Sequence, residues 1–148
     1  MKMSGVLGLN SRNHLYTSKY NNRKGKGIAN SKLETKKVLS KVGVRVPKIY
    51  AVIRSQEEYE EFDPMDLPED FVIKPDNGLG GEGIVVVEKR GKYAGEWVTS
   101  QGETKNVEDI KLHIADILAG QYSMDDLPDV AYIEERGKGH PIFRRYSY

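Results

Sequence analysis

Between Phe71 and Val87 the chain reads FVIKPDNGLGGEGIVVV, in which Lys74 closes an apolar run and Gly78, Gly80, Gly81 and Gly83 crowd the turn that follows. Glycines so closely spaced leave backbone amides bare of side chains, so several N–H groups can approach the oxygens of one phosphate. A lysine at the base of the same turn supplies a compact positive charge to neutralise it. The chemistry on offer is phosphate binding, and three families of glycine loop compete for the pattern. Gly78, Gly80 and Gly83 satisfy G-x-G-x-x-G, but a dinucleotide loop must open a helix, and the IVVVEKR that follows is β-branched strand material. A Walker A loop needs Lys and then Ser or Thr directly after its last glycine, where Ile84 and Val85 stand. A kinase loop fits as far as Val85, yet no HRD or DFG follows, and the lysine precedes the loop rather than lying on a later strand. What remains is a strand, a bare turn and a strand with a cation at its base. An unoccupied hairpin is served by a plain two-residue turn, whereas each glycine costs about 0.5–1 kcal/mol relative to alanine in regular structure.

The surrounding pattern supplies strands and helices to hold this turn. SKLE at Ser31 reads as a capping box that opens a helix from Lys32 to about Val42, with Gly43 as its left-handed stop. VPKIYAVIR reads as a strand, and SQEE at Ser55 opens a short helix that FDPMDLP ends. DFVIKP and GIVVVEKR are strands on either side of the glycines, and YAGEWVTSQGETKN is hairpin material anchored by Trp97. Asn106 caps a helix whose Ile110, Ile114, Ile117 and Leu118 fall on one face and which ends at Gly120. DVAYIEER is a last strand. The opening segment to Asn30 shows little periodicity and is expected to be an irregular arm. The fold class is α+β: one antiparallel sheet packed with about three helices, with the glycine-rich hairpin as a lid.

Composition narrows the function further. The 148 residues contain no cysteine, which excludes disulfides, thiolate metal sites and a cysteine nucleophile. The apolar runs are far too short to span a bilayer, and no signal peptide is legible, so a cytoplasmic location is expected and no membrane partner. The net charge of +1 conceals an asymmetry: residues 1–54 carry thirteen Lys or Arg and one acid, Glu34, while the remainder carries ten bases and twenty-one acids. Such a basic stretch meets anions, whether nucleic acid, nucleotide phosphates or the acidic remainder of its own chain. His14, His113 and His140 lack the spacing of metal ligands, and no Ser-His-Asp set is signalled.

Taken in order, SKLETKKVLSKVGVRVPKIYAVI, LPEDFVIKPDNGLGGEGIVVVE and VAYIEERGKG resemble the ATP-grasp superfamily, and VLGLNSRNHLYTSKYN is similar to the N-terminal segment of its α-L-glutamate ligase-like branch. The resemblance runs over residues 5–143. It implies that residues 31–148 are the N-terminal, nucleotide-binding lobe of that fold, preceded by a basic arm over residues 1–30. By the same resemblance Lys32 would reach nucleotide phosphates, with Ser31 where the family carries an acid, and Lys74 would neutralise the α and β phosphates. Gly78, Gly80, Gly81 and Gly83 would be the lid over them, and Glu134, Glu135 and Arg136 the hinge that reads adenine, with Glu134 near the exocyclic amine. From the residues alone, Lys32 reads equally well as a solvated helix lysine, and Glu134 to Arg136 as a charged strand end.

The family chemistry so implied is ATP-dependent joining of a carboxylate to an amine through an acyl phosphate, with Mg2+ spreading the developing charge. Here the sequence departs from the pattern. It ends at GHPIFRRYSY with no later E-x-N, and His140 and Pro141 stand near the position where relatives hold the ribose with a carboxylate. The metal ligands are thus not expected in this chain, its catalytic residues are unassigned, and the expectation is a lobe truncated before the metal-binding lobe. The implied partners are ATP, an amino-acid or peptide carboxylate of glutamate type, and a second polypeptide or C-terminal lobe. A competing expectation is a non-catalytic nucleotide- or nucleic-acid-binding module, in which Arg12, Lys19, Arg23, Lys24 and Lys26 interleave with Tyr16 and Tyr20. With no nucleic-acid fold motif present, nucleic acid is not the expected partner.

Overall fold

The basic opening stretch is helical rather than irregular. In the computed structural model of the chain, which describes residues 6–123 and 127–137, Leu9–Arg12 (α1) and Ser18–Tyr20 (α2) are α-helical, and Asn13–Thr17 between them winds as a π-helix. Arg23–Asn30 (α3) and Lys32–Lys41 (α4) follow. These first helices bury no residue, so no apolar stripe marks them in the sequence. Local bonds define them instead: the Asn22 side chain accepts from the Gly25 amide at 2.6 Å, and the Ser18 hydroxyl donates back to the His14 carbonyl at 3.0 Å. The Thr35 hydroxyl donates to the Ile28 carbonyl at 2.6 Å, tying α4 to α3. Ser31 caps α4 as its sequence predicts, accepting from the Glu34 amide at 3.0 Å. Its own amide goes to the Gly27 carbonyl at the end of α3, in place of the reciprocal bond of a capping box. α4 stops at Gly43, whose φ is +80°.

By its contacts the chain divides into two units, Met1–Val44 and Arg45–Tyr148. The second holds β1 (Ile49–Ile53), α5 (Gln56–Glu61), a 3-10 turn (Pro64–Asp66), β2 (Phe71–Pro75), β3 (Val85–Arg90), β4 (Trp97–Thr99), β5 (Thr104–Lys105), α6 (Val107–Leu118) and β6 (Ala131–Glu134). The six strands form one sheet in the order β1-β6-β2-β3-β4-β5, with every neighbouring pair antiparallel. β6, the last strand among the described residues, is thereby inserted between β1 and β2. Its register sets Ile73 opposite Ile133, Lys74 opposite Tyr132 and Val72 opposite Glu134.

Successive side chains of a strand point to opposite faces, and here the two faces differ. On one, Ile53, Phe71, Ile73, Val87, Trp97, Ala131 and Ile133 pack against Ile110, Ile114 and Ile117 of α6. Phe71 and Trp97 meet edge to face at 6.1 Å, and each fully buried side chain of this size contributes about 1.5–3 kcal/mol. A complete capping box starts α6, with Asn106 and Asp109 exchanging bonds of 2.9 Å. The other face carries Val72, Lys74, Tyr132 and Glu134. The fold is therefore the α+β arrangement that the sequence predicts, with the lysine strand and the last strand side by side.

Candidate functional site

Lys74 and Glu134 come from neighbouring strands on the same face, and the register brings the Lys74 ammonium to 2.7 Å from Glu134 Oε1. The Glu134 side chain is 2% exposed and that of Lys74 27% exposed. The carboxylate is thus fixed in the sheet, while the cation retains access to solvent and to a ligand. Tyr132, two residues before Glu134 on β6, stands opposite Lys74 in the register and is 1% exposed. Burial pushes its phenol well above the ordinary value, and the negative charges of Glu134, Asp76 and Asp129 add to the effect. It stays protonated, and Lys74 pairs with the Glu134 carboxylate beside it.

The chain leaving β2 is clamped before it reaches the glycines. The buried Asp129 carboxylate accepts from the Asn77 amide at 2.9 and 3.1 Å, from Asn77 Nδ2 at 2.8 Å and from the Val130 amide at 2.7 Å. The Asp76 amide donates to the Val130 carbonyl at 2.9 Å. Beyond this clamp the glycines serve two different needs. Gly80 and Gly81, with φ of +61° and +86°, are the central residues of a turn closed by the Glu82 amide on the Leu79 carbonyl at 3.0 Å. Positive φ at both positions is the type I′ pattern. A Cβ at either residue would meet nothing within 4 Å, so backbone conformation and not crowding requires glycine there.

Gly78 and Gly83 are held by close packing, and Gly83, with φ of +70°, by backbone conformation as well. A Cβ on Gly78 would run into the Pro75 ring, and Gly78 also forms an isolated bridge with Ser123. At Gly83 a Cβ would lie 2.6 Å from Tyr122 Cγ. His113 Nε2 stands 2.9 Å from the Gly83 carbonyl, which can only accept, so Nε2 carries the proton. Burial lowers the His113 pKa, against smaller raising effects of that bond and of Asp116, with Lys105 lowering it further. The tip of the hairpin is open and its stems are anchored.

Past Glu134 the last strand turns into the predicted hinge. The Glu135 amide donates to the Lys48 carbonyl at 2.8 Å and its carboxylate accepts from the Lys48 amide at 3.3 Å. Arg136 pairs with Glu88 and stands 4.0 Å from Asp70. Its guanidinium thereby fixes the hinge to the start of β2 and to β3. A cavity of about 510 Å³ opens here, lined among others by Arg45, Tyr50, Asp70, Glu135, Arg136 and Gly137.

Of the predicted site residues, Lys74, the four glycines, Glu134, Glu135 and Arg136 all belong to the second unit. There the lysine, Glu134 and the clamped base of the loop come together, and Glu135 and Arg136 extend from the end of the same strand. Lys32 opens α4 in the first unit. His140 and Pro141 lie outside the described residues. Sequence reasoning passed over Asn77, Asp129, Tyr132, Tyr122 and the His113 bond. Tyr132 could have been found from its place two residues before Glu134, on the same face. The Asp129–Asn77 and His113–Gly83 contacts join positions far apart in the chain and leave no local signal. Among the described residues no group of three or more His, Asp or Glu could hold a metal ion, and no helix is long and apolar enough to cross a membrane.

Among known protein families, the one described as sugar-transfer associated ATP-grasp matches residues 11–148. The match reaches the ATP-grasp superfamily and leaves the glutamate ligase-like branch undecided. No curated protein and no solved structure matches the chain.

Proposed function

The chain belongs to the sugar-transfer associated ATP-grasp family, and from that premise we propose that its second unit is an ATP-binding module in which Lys74 neutralises the α and β phosphates beneath the hairpin of Gly78, Gly80, Gly81 and Gly83. Glu134 accepts from the exocyclic amine of adenine, and the backbone of Glu135 and Arg136 frames the base. Lys32 is a second phosphate cation on the resemblance alone. The observation that carries the reading is the 2.7 Å pair of Lys74 and Glu134 at the foot of the loop. ATP offers a new hydrogen-bond partner to each member of that pair, a phosphate oxygen to the ammonium and an amine N–H to the carboxylate. Arg136 is committed to Glu88 and Asp70, which supports a role in holding the hinge rather than in touching the base.

The finer reading is that the module serves a carboxylate–amine ligase of glutamate type. A substrate carboxylate oxygen takes the γ phosphoryl group and ADP leaves; an amine nitrogen then attacks the acyl carbon and expels phosphate. The described residues offer no cluster for the Mg2+ that the family implies, and the groups that do this chemistry are proposed to come from a further lobe or a second polypeptide. Calorimetric titration of wild type and Lys74→Ala with ATP tests the core of the proposal, and an unchanged affinity in the variant removes it. ATP hydrolysis coupled to ligation by this chain alone would rule out the half-site.

One observation favours a second reading. The unit Met1–Val44 carries ten Lys or Arg against Glu34, and its exposed Tyr16 and Tyr20 rings lie 6.3 Å apart, a spacing on which unpaired bases could stack. Binding of single-stranded nucleic acid that weakens with salt and persists undiminished in ATP would favour it.

A further inference from the structure

Both stems of the glycine hairpin are fastened to one stretch of chain, from His113 on α6 to Ser123 beyond it. Gly78 bridges to Ser123, the Gly83 α-carbon lies against the Tyr122 ring, and the Gly83 carbonyl accepts from His113 Nε2 at 2.9 Å. The imidazole is itself braced, with its ring 5.4 Å from that of Tyr122. The remaining bond direction follows from peptide geometry. None of the described peptide bonds is cis, and in a planar trans unit the N–H points opposite to the C=O. A Gly83 carbonyl held toward α6 therefore turns the Ile84 amide away from α6. α6 covers the face of the sheet that carries Ile73 and Val87, and Lys74, one residue on from Ile73, stands on the other.

We propose that His113 is the positioning residue of the phosphate lid: it sets the Gly83–Ile84 peptide so that the Ile84 N–H faces the phosphates held by Lys74. The proposal rests on the ATP-binding reading above and adds to it a residue that touches no ligand. A single bond of this kind to a phosphate oxygen is worth about tenfold in affinity. Because it acts on the phosphate chain and not on the base, its effect separates ATP from AMP.

The test is calorimetric titration of the full chain with ATP and with AMP, for wild type, His113→Leu, His113→Gln and Lys74→Ala. His113→Leu is expected to lose about tenfold for ATP and less than about twofold for AMP, and His113→Gln, whose amide N–H can donate to the Gly83 carbonyl, to recover most of the loss. Equal losses for the two nucleotides reduce His113 to a packing residue and overturn the proposal. Unchanged ATP binding in His113→Leu beside a loss in Lys74→Ala also overturns it and leaves the nucleotide reading standing; a wild type that binds neither nucleotide removes both. Should His113→Leu fail to fold, amide hydrogen exchange in the wild type decides: slowing of the Ile84 amide by ATP but not by AMP supports the proposal, and equal slowing or none overturns it.

Discussion

A carboxylate 2% exposed, as Glu134 is, depends on the cation 2.7 Å away. Removing the cation of such a pair takes from the buried carboxylate its ion-pair partner, at a cost of about 3 kcal/mol. Lys74→Ala is therefore expected to lower the urea midpoint of unfolding with little change in slope, and adding Glu134→Gln to recover part of the loss. ATP binding by the single variant has to be read well below its melting temperature for the same reason. His113 carries the opposite kind of prediction. Burial holds its folded-state pKa below the ordinary value of about 6.5. Above that value both folded and unfolded chains hold it neutral and it contributes no pH dependence. As pH falls through it, the unfolded chain binds the proton first, so stability declines with falling pH until the folded-state pKa is passed. Denaturant unfolding between pH 7.5 and 5 should show this slope in wild type and lose that component in His113→Gln. At this scale the sequence displayed Lys74 and the glycines plainly, because their meaning lies in local spacing. The neighbours that fix them, Asp129 and His113, were silent because only the folded sheet and helix bring them near.

Elements were legible where they obey a period or carry a cap. α6 shows both, with Ile110, Ile114 and Ile117 buried on one face and a full Asn106–Asp109 capping box at its start. Because α6 also carries His113, its packing decides how firmly the hairpin is held. Ile114→Ala, which empties a fully buried position, should cost about 2–5 kcal/mol. It should also speed amide exchange at Gly83 and Ile84 beyond that loss, whereas an equally destabilising change remote from α6 should not. A hairpin that exchanges no faster in Ile114→Ala than in the remote variant would mean that the lid is independent of the helix. The helices α1 to α3 were not legible, since they bury nothing and only α3 has a side-chain cap at its start. Strand order was hidden for another reason: alternation shows that DVAYIEER is a strand but not that it lies between β1 and β2, the placement that joins Glu134 to Lys74.

Charge divides the whole chain as its contacts do. Met1–Val44 holds ten bases and one acid, and Arg45–Tyr148 thirteen bases and twenty-one acids. The asymmetry was visible in the sequence; which anion the basic unit serves was not, because an excess of lysine attracts any phosphate. The family match spans both units, from residue 11 to residue 148, so their separate responses to one ligand are the informative quantity. A ligand that binds only the folded chain stabilises what it touches by about 2.7 kcal/mol at a hundred times its dissociation constant. Saturating ATP should therefore slow amide exchange over residues 77–84 and 134–137 of the second unit, where Lys74, the hairpin and the hinge are proposed to hold it. If Lys32 is a second phosphate cation, exchange at the start of α4 slows as well, and Lys32→Ala weakens ATP more than AMP, since point charges act on the phosphates and not on the base. Slowing confined to the second unit, with Lys32→Ala binding both nucleotides as wild type does, would return Lys32 to a helix-surface lysine and leave Lys74 as the phosphate cation of the described site.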